Sequence, residues 1–240
     1  MVEARVVGPI ALVGSGEFLD GMVPVDRELL RGRTPRAVHL PTAAAQEGDA
    51  SIGRWVRMGQ RHFRRLGVPC TPLLVLERAD ADDPVVAAEI LGAGLVYLSG
   101  GDPGYLASTL QDTRAGEAIV RAWEGGAAVA GCSAGAMALV ERVPDVRRPE
   151  VPVVPGLGLV HGMAVIPHFD RFKEWRPNAL TGILEMVGPG VRVVGIDEDT
   201  ALIGGDAGWT VWGRQRAWLI SPDGSRRPFD AGARLDLQVA

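Results

Sequence analysis

The chain has 240 residues, with Lys+Arg 25 against Asp+Glu 29, a net charge of −4 and a pI near 5.6. Hydrophobic residues make up 47% and charged residues 22%, which supports a sizeable core and excludes general disorder. The acidic balance carries no electrostatic footprint for DNA or RNA, and two cysteines, Cys70 and Cys132, can build neither a disulfide framework nor a four-ligand zinc site by themselves.

In chain order, the N-terminal run is interrupted by Glu3 and by Gly8-Pro9, so no signal peptide is expected. No window approaches 18 uninterrupted apolar residues, so no membrane span is expected either, and a reducing cytoplasm is the default compartment. Short, β-branched apolar runs predict strands at 10–13, 37–40, 73–76, 95–98, 127–130 and 191–196. They are almost continuously apolar, as strands covered on both faces are. Ile52, Trp55, Val56, Met58 and Phe63 form one face of a helix, with Arg54, Arg57, Arg61, Arg64 and Arg65 largely on the other, read as a solvated face. His62 falls on that arginine-rich helix and is expected in solvent; His39, inside a strand, is expected in the core. A second helix starts at Pro103 behind the cap residue Asp102, runs to Trp123-Glu124 and stops at Gly125-Gly126. A third follows Ser133 directly. Residues 143–162 read as loop with short irregular strands, and 209–219 as a terminal β-hairpin. Strand and helix alternate, so the predicted fold is α/β, a mainly parallel doubly wound sheet with helices on both faces. Residues 1–240 read as one domain, and Gly 32 with Pro 17 predicts many tight turns between short elements.

The most specific string is Gly131-Cys132-Ser133-Ala134-Gly135, a G-x-S-x-G between an apolar strand and a helix-forming segment. Glycines two positions either side of a strained apex let neighbouring backbone approach, and the turn lifts Ser133 towards the N-terminus of the next helix. Backbone N–H groups there can stabilise an oxyanion. Cys132, one position before the apex, is read as a buried structural thiol. A serine nucleophile needs a base. His168 stands at the end of the apolar run Ala164-Val165-Ile166-Pro167 and is the first candidate, with His161 the second. The orienting acid is sought at another strand end, where Asp197, Glu198 and Asp199 follow Val193–Ile196 consecutively; this pattern leaves the choice among them open. The order Ser, His, acid differs from that of α/β-hydrolases. Two glycine turns complete the picture. Ser99-Gly100-Gly101-Asp102 offers a second oxyanion donor. Gly14-Ser15-Gly16 lacks the third glycine of a dinucleotide fingerprint, so no nucleotide site is read there.

Together, GSGEF at 14–18, LSGGD at 98–102, GCSAGA at 131–136, PHF at 167–169 and GIDEDTAL at 195–202 resemble the S51 serine peptidases, the family of aspartyl dipeptidase (dipeptidase E) and cyanophycinase. The resemblance implies a class I glutamine amidotransferase-like fold and the hydrolysis of a small peptide, Asp-X or β-aspartyl, through an acyl-enzyme. It implies Ser133 as nucleophile, His168 as base, Glu198 as orienting acid, and the Gly101 and Ala134 N–H groups as oxyanion hole. Asp102 and Arg171 are the expected substrate-binding residues, with no cofactor, no metal, and no nucleic-acid or membrane partner. The alternatives are a glutamine amidotransferase-like enzyme using Cys132, and a non-catalytic member of the family used for binding. A homodimer is an open option, because Trp209, Trp212 and Trp218 lie on the terminal hairpin, unless they belong to the core.

Overall fold

The computed structural model describes residues 7–144, 153–175 (backbone only at 173–175), 179–205 and 208–237. Among them the strands are β1 (Ile10–Val13), β2 (Ala37–Leu40), β3 (Cys70–Pro72), β4 (Leu95–Leu98), β5 (Ala128–Cys132), β6 (Arg142–Pro144), β7 (Val153–Pro155), β8 (Met163–Ile166), β9 (Arg192–Ile196), β10 (Thr200–Gly205), β11 (Gly208–Gly213), β12 (Ala217–Ile220), β13 (Arg226–Phe229) and β14 (Arg234–Leu235). The helices are α1 (Val23–Leu30), α2 (Asp49–Arg65), α3 (Arg78–Ala81), α4 (Pro84–Leu91), α5 (Pro103–Leu110), α6 (Arg114–Glu124), α7 (Ala134–Leu139), α8 (Phe169–Trp175) and α9 (Ala179–Val187).

The main sheet has the order β14-β11-β10-β1-β5-β4-β2-β3. Its β1, β5, β4, β2 and β3 are parallel, and β10, β11 and β14 add an antiparallel edge. Every residue of β1, β2, β4 and β5 is buried, which is why these runs read as continuously apolar. Successive side chains serve opposite faces. Ile10, Leu12, Val38, Leu40, Val96 and Leu98 enter one core, while Ala11, Val13, Ala37, Leu95 and Tyr97 enter the other. A second sheet, β13-β12-β9-β8, packs Met163, Val165, Val194 and Ile196 into the first of these cores. The C-terminal ends of β1, β4 and β5 therefore open beside those of β8 and β9, where an open α/β sheet presents its functional groups.

Three boundaries differ from the sequence expectation. The strand expected at 73–76 is β3, three residues earlier; after Leu73 N–H bonds His39 C=O at 2.9 Å, the Val75 N–H turns back to Leu73 C=O and pairing ends. The helix expected to run from Pro103 to Glu124 is two helices. Asp112 takes a positive φ of 53°, and the Thr113 hydroxyl accepts the Gly116 N–H at 3.3 Å, capping α6 anew. The hairpin expected across 209–219 does not form, because its two strands, β11 and β12, lie in different sheets. β11 pairs with β10 in the main sheet, and β12 pairs with β9 and β13 in the second sheet. Gly213, at φ +103°, crosses so close to the acid turn that a Cβ there would lie 2.2 Å from Asp199 C=O, and the chain passes from one sheet to the other. The irregular strands expected in 143–162 include β6 and β7, an antiparallel pair, while 145–152 lies outside the described residues.

The tryptophans of this region point inward. Trp209 is buried in the larger core, Trp212 packs on the core at the other face of the main sheet, and Trp218 packs on Phe169 with ring centroids 5.9 Å apart. They supply core area, so they offer no reason to expect a second copy.

Candidate active site

Ser133 follows β5 directly and takes φ 51° and ψ −110°, a sparsely populated conformation for any side-chain-bearing residue. Such geometry costs of order 1–3 kcal/mol and persists only where the surroundings enforce it. Here they do. A Cβ at Gly131 would sit 2.3 Å from Gly135 C=O, and one at Gly135 would sit 2.2 Å from Leu98 C=O. Both glycines of G-x-S-x-G are therefore required by backbone approach, and Ser133 N–H is held by Val13 C=O at 2.9 Å.

Three strand ends converge on this turn. His168, just past β8, also has a positive φ, 50°, and its N–H reaches Gly14 C=O at 3.3 Å. Its Nε2 lies 3.0 Å from Ser133 Oγ, and its Nδ1 lies 2.9 Å from Glu198 Oε1. A carboxylate only accepts, so Nδ1 carries the proton and Nε2 is left to accept from the serine hydroxyl. The His168 and Glu198 side chains are 26% and 31% exposed, so the relay meets solvent. Gly14 makes the approach possible, because a Cβ there would lie 2.1 Å from Asp197 C=O.

Among the three consecutive acids, the tertiary structure separates what the sequence left open. Asp197 is buried and turned away from the histidine. Its Oδ1 accepts the Trp218 indole N–H at 2.9 Å and its Oδ2 the Arg216 N–H at 3.3 Å, and burial raises its carboxyl above the usual range. Asp199 faces Arg214 at 3.7 Å. Glu198 alone of the three meets His168, and its backbone is clamped. Asp170 accepts the Glu198 N–H at 2.9 Å, while Thr200 and Gln215 donate to the Glu198 carbonyl at 3.1 and 3.0 Å. Asp170, Gln215 and Thr200 were not singled out from sequence; Asp170 stands two residues past His168, which was the available signal.

The Ser99–Asp102 turn lies against the elbow, and a Cβ on Gly100 would come within 3.4 Å of Ser133 Cβ. Gly101 sits at φ +146° with no room for a side chain, since a Cβ there would lie 2.2 Å from Ala43 C=O. Ala134, the first residue of α7, is buried beside the apex. Asp102 caps α5, its Oδ1 accepting the Tyr105 N–H at 2.8 Å. Arg171 is exposed one turn beyond His168, whose carbonyl accepts its N–H at 3.0 Å.

The other histidines lie elsewhere. His161 is 71% exposed, with Glu141 at 3.6 Å. His39 is buried as expected, its Nε2 2.9 Å from Ser99 Oγ. His62 is not in solvent. It is fully buried, with Nε2 2.6 Å from Asp26 Oδ2, because it shares the inward face of α2 with Ile52, Gly59 and Phe63 and meets α1 there. Cys132 is buried, its Sγ 2.8 Å from Glu17 Oε2, and burial followed by the Glu17 charge pushes its thiol well up. Among the described residues, no cluster of three His, Cys, Asp or Glu side chains is placed to hold a metal, and no helix is long and apolar enough to cross a membrane.

A hydroxyl, an imidazole and a carboxylate in series, on a mixed α/β sheet with the hydroxyl on a strained strand-to-helix turn, are the set of groups that serine hydrolases use. The profile of peptidase family S51 matches residues 10–211, and the chain belongs to that family. It is 28% identical over 214 residues to a cyanophycinase of Trichormus variabilis, covering 82% of this chain and 69% of the relative. A cyanophycinase of Synechococcus elongatus is 31% identical over 194 residues, 75% of this chain and 57% of its own length. The crystal structure of a peptidase from an acI-B1 Actinobacterium superposes with a TM-score of 0.89 at 35% identity, covering 97% of this chain and 98% of that one. A Listeria monocytogenes chain named for peptidase E superposes at 0.66 with 20% identity, over 88% of this chain and 100% of that one, a likeness of fold alone. The fold is thus the class I glutamine amidotransferase-like fold of the S51 peptidases, and the chain is a serine-type peptidase.

Proposed function

We propose that the protein cleaves the amide bond of a small peptide, Asp-X or β-aspartyl, through an acyl-enzyme on Ser133. The observation that carries the reading is the continuous relay from Ser133 Oγ to His168 Nε2 at 3.0 Å and from His168 Nδ1 to Glu198 Oε1 at 2.9 Å. Ser133 Oγ attacks the carbonyl carbon as His168 Nε2 takes its proton. The carbonyl oxygen becomes an oxyanion between the Gly101 and Ala134 N–H groups, where donors fixed in advance need no reorganisation. His168 then passes its proton to the amine as the C–N bond breaks. Water, deprotonated by the same nitrogen, releases the acid and restores the serine. Glu198 holds the imidazole tautomer and stabilises the imidazolium. On this reading Arg171 is assigned to an acidic substrate group, and Asp102, the cap of α5, to the substrate side of the Ser99–Asp102 turn. Among the described residues both sheets feed one core, which supports reading the chain as one domain.

A cysteine mechanism is disfavoured, because the raised Cys132 thiol stays protonated and points into the core. The test is hydrolysis of a panel of aspartyl and β-aspartyl dipeptides by wild type and Ser133→Ala. Turnover by wild type and none by the variant is expected; equal turnover by both sinks the mechanism.

A further inference from the structure

Glu17 is a buried acid for which the relay has no use. It stands on the turn leaving β1, is 5% exposed, and spends its two oxygens on two other strand ends. Oε1 accepts the Gly100 N–H at 3.0 Å, on the turn after β4, and Oε2 accepts the Cys132 thiol at 2.8 Å, on the last residue of β5. A buried carboxylate is costly unless each oxygen finds a donor, and these two donors belong to the two segments that flank the proposed oxyanion site. The turn is also held from its far side, where the Asp102 N–H bonds Ala43 C=O at 2.8 Å. With the N–H groups of residues 100 and 102 held by these two bonds, the peptide between them is restrained from both sides. That peptide carries the Gly101 N–H, engaged by neither bond.

We infer that Glu17 is a positioning residue that aims the Gly101 N–H at the reacting carbonyl oxygen, through its bond to Gly100 and its anchor on Cys132. This rests on the proposed acyl-enzyme mechanism. A charge-assisted bond from a carboxylate is shorter and stronger than one from a neutral amide. Oxyanion donors act only where charge develops, so loosening one lowers the chemical step and leaves ground-state binding alone. Cys132 in turn has a use other than nucleophilic attack: its thiol is the second donor that keeps Glu17 in place.

The experiment uses a fluorophosphonate, whose phosphoryl oxygen occupies the oxyanion position while the Ser133 Oγ–P bond forms, fluoride leaves and His168 takes the serine proton. Labelling is followed by intact mass and peptide mapping, and the maximal rate is separated from the half-saturating probe concentration. For Glu17→Gln, which keeps the shape of the side chain, the maximal rate should fall by about 10-fold or more, by analogy with the loss of an oxyanion donor. Half-saturation should be unchanged. Cys132→Ser, which restores an O–H donor, should label at close to the wild-type rate, and Cys132→Ala should resemble Glu17→Gln. A Glu17→Gln enzyme that labels like wild type, or that loses only melting temperature, overturns the positioning role while the mechanism stands. A wild type that takes no label on Ser133 overturns the mechanism and this role with it.

Discussion

Among the described residues, histidine meets an acid or a serine at hydrogen-bonding distance in two places, and they differ in how the ring is bonded and in how far solvent reaches it. In the crevice, His168 engages both ring nitrogens, one with Ser133 and one with Glu198, and a quarter of its side chain is exposed. In the core around Phe18, His62 meets Asp26 at 2.6 Å and His39 meets Ser99 at 2.9 Å. The rings of His39 and His62 lie 4.9 and 5.8 Å from that of Phe18. Distances alone would rank the buried pairs equal to the crevice. Each buried histidine, however, uses one nitrogen only, its Nδ1 having no partner among the described residues, and neither is reached by solvent. What separates a relay from a core polar pair is the second bond on the ring and access for a substrate.

That contrast is broken most forcefully at the two serines. Ser133→Ala should lower kcat/KM by roughly 10⁴-fold or more. Ser99→Ala should stay within about tenfold of wild type and cost about 1–3 kcal/mol of stability through the orphaned His39. Equal losses of activity would erase the distinction. At the acids, Glu198→Gln should reduce kcat by about 10³–10⁴-fold through the lost tautomer control. Asp197→Asn, which faces Trp218, should change melting temperature more than kcat; the reverse ranking in steady-state kinetics would reassign the acid. His62→Ala leaves the Asp26 carboxyl buried and unpaired, which costs about 3 kcal/mol. For a chain of this size that is a fall in Tm of roughly 10 °C, with the kcat of the folded enzyme unchanged.

The contrast also carries a pH slope. Burial lowers the pKa of His39 from 6.5 to about 3, so between those values the unfolded chain binds the proton that the folded one refuses. Stability from this group is complete above pH 6.5 and is lost as pH falls towards 3, at up to about 1.4 kcal/mol per pH unit. Asp26 acts with the opposite sign. Burial raises its carboxyl above 3.8, so there the folded state holds the extra proton and acidification favours it. Urea midpoints at pH 4 and pH 7 should converge in His39→Asn relative to wild type; identical pH differences in the two proteins would remove His39 as the source.

The elbow was legible in the sequence because its glycines answer to local sterics, and both clash distances at Gly131 and Gly135 bear that reading out. His168 was legible as the polar residue closing an apolar run. The choice among Asp197, Glu198 and Asp199 was not, because it is made by Asp170 at the start of α8 and by Gln215, Arg216 and Trp218, which reach the turn only after the chain has changed sheets at Gly213. His62 was misread for a related reason. The arginines of α2 dominate its composition, yet His62 lies three residues from Gly59 on the same buried face, and its partner Asp26 sits on another helix. Helix and strand boundaries failed where a single hydroxyl or turn decided them, as at Thr113 and after Leu73.

The central claim is that Ser133 is the nucleophile and that the neighbouring Cys132 and the buried Ser99 are not. It is tested most directly by exposing the protein to a reactive phosphonate and mapping the adduct by intact mass and peptide fragmentation. A single adduct on Ser133, present in Ser99→Ala and absent from Ser133→Ala, is the predicted result. An adduct on Cys132 or Ser99, or none on the wild type, would contradict it.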